Sequence, residues 1–117
     1  MEIQTRTLDE VQKLLEVVLK GRLDLQSSEA VKTRLHEVIE ATPASVVVNL
    51  EEVHFIDSAG LSALVSGLRF ARERDKDIIL VGLNKQAEMV FKLTMLDQIF
   101  TIYPSLENAL ENLAKED

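Results

Sequence analysis

Phe55-Ile56-Asp57-Ser58-Ala59-Gly60-Leu61 joins two segments of different periodicity. The apolar run Val46-Val47-Val48-Asn49-Leu50 leads into it, and Leu61, Leu64, Val65 and Leu68 follow at helical spacing. A strand therefore hands over to a helix here. Ser58 stands at the handover and is expected as the N-cap, its hydroxyl accepting from an orphan backbone N–H of the first turn. Gly60 falls inside that turn, where glycine costs roughly 0.5–1 kcal/mol relative to alanine. A second reason for it is expected: a missing side chain beside an exposed hydroxyl lets another molecule's backbone or a phosphate come close.

Upstream, Ile3, Thr5 and Thr7 alternate with Gln4 and Arg6, which predicts a half-buried strand. A turn at Asp9-Glu10 returns the chain as a second, antiparallel strand over Val11 to Lys20, with Leu15, Val17 and Leu19 on one face, stopped by Gly21. Residues 21–28 read as a loop ending in candidate N-cap serines, Ser27 and Ser28. A helix is expected from Glu29 to Ala41, its apolar face formed by Val31, Leu35, Val38, Ile39 and Thr42, and Pro43 stops it. The run Val46 to Leu50 is apolar on both faces apart from Asn49, as for a central strand covered on both sides.

Downstream of the handover the helix should reach about Arg74, before a polar turn at Asp75-Lys76-Asp77 and a buried strand Ile78 to Val81, ended by Gly82. Lys85 to Leu96 reads as a helix through Ala87, Val90, Phe91 and Leu93, followed by an edge strand Ile99 to Tyr103. Pro104 turns the chain. Ser105 is expected to cap a last helix with the stripe Leu106, Ala109, Leu110 and Leu113, fraying at Lys115, Glu116 and Asp117. The order ββαβαβαβα predicts an α/β fold in one domain, 1–117. Its mixed sheet of four to five strands carries about four helices, parallel in the middle and antiparallel at the first hairpin.

Composition narrows the function. The chain has 117 residues, enough for a core without metal or disulfide, and no cysteine, which excludes a disulfide framework, a thiolate metal site and a cysteine nucleophile. No apolar run approaches the ~20 residues a membrane span needs and no basic-then-apolar leader is visible, so a cytoplasmic location without membrane insertion is expected. A net charge of -7 opposes a phosphate backbone, which argues against nucleic acid as a partner.

Catalytic motifs fare poorly. A serine at a strand-to-helix turn suggests a nucleophile elbow, but Gly-x-Ser-x-Gly has Ile56 in place of its first glycine, and neither His36 nor His54 is placed as an obvious base. Glu51, Glu52 and Asp57 lack a histidine at ligand spacing, so no metal or cofactor is expected; Asp57 alone could orient a neighbouring hydroxyl or help hold a kinase's magnesium. No phosphate loop or dinucleotide fingerprint is present. The helix after Ser58 has one further feature, a face of small residues, Ala59, Ser62, Ala63, Ser66 and Gly67, that fits close approach either by its own neighbour or by a partner.

Asp57-Ser58-Ala59-Gly60-Leu61, preceded by Val53-x-Phe55-Ile56, resembles the STAS family of bacterial anti-sigma factor antagonists. Gly21-Arg22-Leu23-Asp24 resembles the family's Gly-x-Leu-Asp loop, and Leu80-Val81-Gly82-Leu83 with Leu93-Thr94-x-Leu96-x-x-Ile99-Phe100 its later strand and helix, so the resemblance spans about residues 10–113. It implies a regulator and not an enzyme. The unmodified antagonist would bind an anti-sigma factor serine kinase, releasing a sigma factor. The kinase, which itself binds the ATP, would phosphorylate Ser58 to end the contact, and a serine phosphatase would reset it. The partner surface implied is Gly21, Arg22, Asp24, Asp57, Ala59, Gly60, Leu61 and Ser62. Ala59 stands where many members carry a second serine, leaving Ser58 as the acceptor, and Met95 replaces a common glycine with only local consequences expected. The competing role is a cytoplasmic STAS accessory subunit of a lipid-type ABC transporter, which would hold an ATPase subunit with no kinase involved.

Overall fold

The computed structural model describes residues 1–11 and 14–114; the expected fraying at Lys115, Glu116 and Asp117 lies outside them. Five strands form one sheet in sequential order: β1 (Glu2–Asp9), β2 (Leu14–Leu23), β3 (Val46–Ile56), β4 (Ile78–Val81) and β5 (Thr101–Tyr103). β1 pairs antiparallel with β2, and every later pairing is parallel. The helices are α1 (Ser28–Ala41), α2 (Ser58–Arg72), α3 (Lys85–Leu93) and α4 (Leu106–Ala114), so the order ββαβαβαβα holds.

Each crossover moves the chain one strand further in the same direction. Right-handed crossovers then place α1, α2 and α3 on one face. Alternation along the strands does the rest: Val17, Leu19, Val46, Val48, Leu50, Ile78 and Leu80 meet Leu35, Ile39, Leu64, Leu68 and Phe91 in the main core. The opposite set, Leu14, Val47, Ile79 and Val81, packs with Ala109, Leu106 and Leu113 of α4. The central strands are thus covered on both faces, as their unbroken apolar runs require. Glu16 and Asn49 lie on that second face. Glu16 is fully buried, accepting from Asn49 Nδ2 at 2.8 Å and from Arg6 Nε, and the Arg6 guanidinium is held above its ordinary pKa first by its hydrogen bond to Glu16 and then by the Glu16 charge.

Several boundaries differ from expectation, each for a tertiary reason. β1 is an edge strand, and Thr5 and Thr7 are exposed, leaving Ile3 and Leu8 as its half-buried apolar residues. β2 does not stop at Gly21 but continues to Leu23. Gly21, at φ +117°, lies beside a shift in the β2–β3 register, a bulge that lets the strand go on. Neither Ser27, at the N-cap position, nor Ser28, the first residue of α1, caps the helix: Ser27 Oγ accepts instead from Asp24 N at 3.0 Å and donates to Arg22 O at 2.8 Å. α2 ends at Arg72, short of Arg74. α3 ends at Leu93 and not Leu96, because Met95 takes a left-handed conformation at φ 61° and a 3-10 turn follows over Leu96–Gln98. Leu93 is consequently 78% exposed. The last strand begins at Thr101 and not Ile99. Ser105 does cap α4, accepting from Asn108 N at 3.1 Å, while Leu110 sits at the rim of the stripe.

Candidate functional site

β3 outruns β4. Its last pairing with β4 is Asn49 with Val81, yet the strand continues to Ile56 alongside β2. Backbone groups on the vacated side need partners. The N-terminus of α3 supplies them: Asn84 Nδ2 donates to Val53 O and His54 O, while Gln86 donates to Ile56 O at 2.9 Å and accepts from Ile56 N at 3.1 Å. The strand end that delivers the Asp57 turn is therefore pinned on both edges.

At the turn itself the cap is not Ser58 but Asp57. Its backbone is extended, and its Oδ1 accepts from Gly60 N at 2.9 Å. Asparagine, serine and aspartate cap comparably well, so the residue whose backbone leaves the strand takes the position. Ser58 becomes the first helical residue, exposed and free of the capping task. Oδ2 of Asp57 accepts from Leu25 N at 3.3 Å, and Asp57 N donates to Leu23 O at 3.2 Å. Both carboxylate oxygens are thus engaged with backbone N–H groups. Asp57 thereby orients the loop.

Gly60 has an internal reason. A Cβ there would stand 2.2 Å from Leu23 O and 2.8 Å from Leu23 Cγ, so the first turn of α2 lies directly on the end of β2. Clearance for an outside molecule is not needed to explain it. Leu61, 7% exposed, also belongs to the core. The small-residue face is divided: α1 packs on its Gly67 end, where a Cβ would meet Leu35 Cδ1 at 2.9 Å, while Ser62 is exposed. Ser66 Oγ lies 3.2 Å from His36 Nε2, and His36 stacks on Phe70 at 4.1 Å. His36 is therefore committed to Ser66, and His54 is exposed on β3, so the structure builds no serine–histidine pair at Ser58. Glu51 and Glu52 are exposed, and among the described residues no three His, Asp or Glu side chains gather as metal ligands.

What remains at the surface is a compact group. Arg22 lies over the Phe55 ring, 4.4 Å from its centroid, with its Nε 3.4 Å from Asp24 Oδ2. Register brings Arg22 opposite Phe55 and Leu23 opposite Ile56, so the Gly21-Arg22-Leu23-Asp24 segment and the Asp57 turn share one end of the sheet. Of the implied surface residues, Arg22, Asp24, Asp57, Ala59 and Ser62 have exposed or half-exposed positions there, Gly21 is half-buried on β2, and Gly60 and Leu61 are buried. Leu25, absent from the expected set, is 76% exposed beside them. No periodicity flags it, because its placement depends on the Asp57 contact from 32 residues away.

The chain is similar to known proteins in sequence and fold. Residues 2–109 match the family described as "STAS domain". An anti-sigma-B factor antagonist of Staphylococcus aureus is 27% identical over 107 residues, covering 92% of this chain and 96% of its own. The crystal structure of an anti-sigma factor antagonist from Mycobacterium paratuberculosis superposes with a TM-score of 0.78 at 26% identity, covering 95% of this chain and 93% of its own. The Bacillus cell fate determinant SpoIIAA in its phosphorylated form shares the fold at a TM-score of 0.72 and 18% identity, over 96% and 99% of the two chains. Among the described residues no helix is long and apolar enough to cross a membrane.

Proposed function

The chain belongs to the STAS domain family, and from that premise we propose that it is a cytoplasmic anti-sigma factor antagonist that binds an anti-sigma factor serine kinase and is switched off by phosphorylation of Ser58. The observation that carries this is the placement of Ser58: exposed, first in α2, and relieved of capping by Asp57. A hydroxyl in use as a cap would have to leave its N–H partner to react. This one does not. The curated relative named an anti-sigma-B factor antagonist, aligned over nearly its whole length, supports the same role.

The physics of the switch is favourable in both directions. A phosphate on Ser58 brings about -1.5 to -2 charge to a helix N-terminus, where the aligned N–H dipoles favour it by about 0.3–1 kcal/mol. The fold therefore tolerates modification. An interface does not: an uncompensated buried charge costs on the order of 2–5 kcal/mol, roughly 30-fold to several-thousand-fold in affinity, and the adjacent Asp57 adds repulsion. A serine phosphatase would reset the surface.

The test is incubation with ATP and an anti-sigma factor kinase, followed by mass spectrometry. One phosphate on Ser58, and loss of the kinase complex when it is added, is the expected result. No transfer, together with copurification of a transporter ATPase, would replace this reading with that of an ABC-transporter accessory subunit.

A further inference from the structure

Beyond Asn49, β3 has lost its β4 neighbour, and its remaining ladder with β2 shifts register twice, between Val18 and Lys20 and between Gly21 and Arg22. A strand end held by one interrupted ladder needs a partner on its open side. Gln86 closes that side at Ile56, the last residue of β3. Ile56 N can only donate and Ile56 O can only accept, so the two contacts fix the side-chain amide in one orientation, Oε1 toward N at 3.1 Å and Nε2 toward O at 2.9 Å. The amide stands in for one rung of a missing strand. Its own position is set by packing. α3 is capped by Asn84, whose Oδ1 accepts from Ala87 N at 2.8 Å, and is anchored through buried Ala87 and Phe91, the latter edge-on to Phe100 at 5.6 Å.

We propose that Gln86 is a positioning residue for the phosphorylation of Ser58, acting through the backbone of β3 and not through a contact with the kinase; this rests on the function proposed above. Ser58 follows Ile56 by two residues, and Asp57 between them carries the cap and loop contacts that move with the strand end. Phosphoryl transfer needs the acceptor oxygen in line with the transferred phosphorus, and a displacement of about 1 Å can cost about 100-fold in rate. Binding is spread over a surface of about 800 Å² on each partner and responds less to the play of one residue. Loss of the amide therefore shows in kcat and spares KM.

Gln86→Leu keeps much of the side chain's size and removes both hydrogen bonds. Lys76→Met is the control, since Lys76 Nζ donates to Ile39 O at 2.6 Å, a side-chain-to-backbone bond at the far end of the sheet. Amide hydrogen exchange and steady-state phosphorylation by an anti-sigma factor kinase with ATP are measured on the full chain of all three proteins, well below the Tm of each. The expected result for Gln86→Leu is exchange at Ile56 faster by about 10-fold or more, and kcat lower by about 10-fold or more with KM within about 2-fold of the parent. Lys76→Met changes none of these. Parent-like kcat or parent-like Ile56 exchange in Gln86→Leu overturns the positioning role and leaves Ser58 as the acceptor. An equal fall of kcat in Lys76→Met would show general loosening and overturn it too, as would a loss confined to KM. If no anti-sigma factor kinase modifies the parent chain, the functional reading falls, and the positioning role with it.

Discussion

Of the adjacent polar residues Asp57 and Ser58, the first takes both structural tasks. Asp57 closes the helix N-terminus through Gly60 N and holds the β2–α1 loop through Leu25 N. Ser58 does neither and is left exposed. Stability and function should separate accordingly. Asp57→Ala should lose about 1–2 kcal/mol, the usual cost of a missing cap, as measured by urea unfolding. Ser58→Ala should stay within about 0.5 kcal/mol of the parent and remain a binder that phosphorylation cannot release. The reverse order of stabilities would return the cap to Ser58. Sequence alone assigned the cap to Ser58, because both residue types cap helices well and only the extended backbone at Asp57 distinguishes them.

At the scale of elements, the contact between α2 and β2 sets the geometry of the site. Gly60 allows the first helical turn to rest on Leu23, and the cost of a glycine in a helix is offset by that approach. Gly60→Ala should therefore destabilise by about 1–3 kcal/mol despite alanine's better helix propensity, since the added methyl meets a backbone carbonyl that cannot swing away. Thermal unfolding would reveal it; a stabilised variant would mean that the turn has room. The end of α3 presents the opposite case. Met95 holds a left-handed conformation that strains any residue with a Cβ, and it is exposed, so little packing is at stake. Met95→Gly should raise stability by up to about 1 kcal/mol in urea titration, the relief of strain exceeding the added freedom of the unfolded chain. The resemblance to the family had marked this position as a departure. Its conformational consequence, and the early end of α3, became visible only with the backbone.

For the molecule as a whole, Ser58 sits at one end of the sheet while the two cores lie on its faces. Charge added at Ser58 therefore meets solvent and a helix N-terminus, not the interior. Ser58→Asp should keep its Tm within about 5 °C of the parent while losing the kinase partner. Wholesale unfolding of that variant would contradict a surface switch. With a net charge of -7 the chain already repels anions, so a negative charge placed at Ser58 would add to that repulsion.

Periodicity along the chain determined the element order, the parallel centre of the sheet and the central place of the Asp57 turn, because alternation and helical spacing are local properties. β4 and the cap of α4 followed from the same local rules. The tertiary structure decided which residue caps α2, why Gly60 is there, how β3 runs beyond β4, and that Leu25 is tied to Asp57. Those outcomes rest on hydrogen bonds such as Leu25 to Asp57 and Ile56 to Gln86, between residues 32 and 30 positions apart. No window of sequence contains both partners, so the fold must bring them together before either residue has its role.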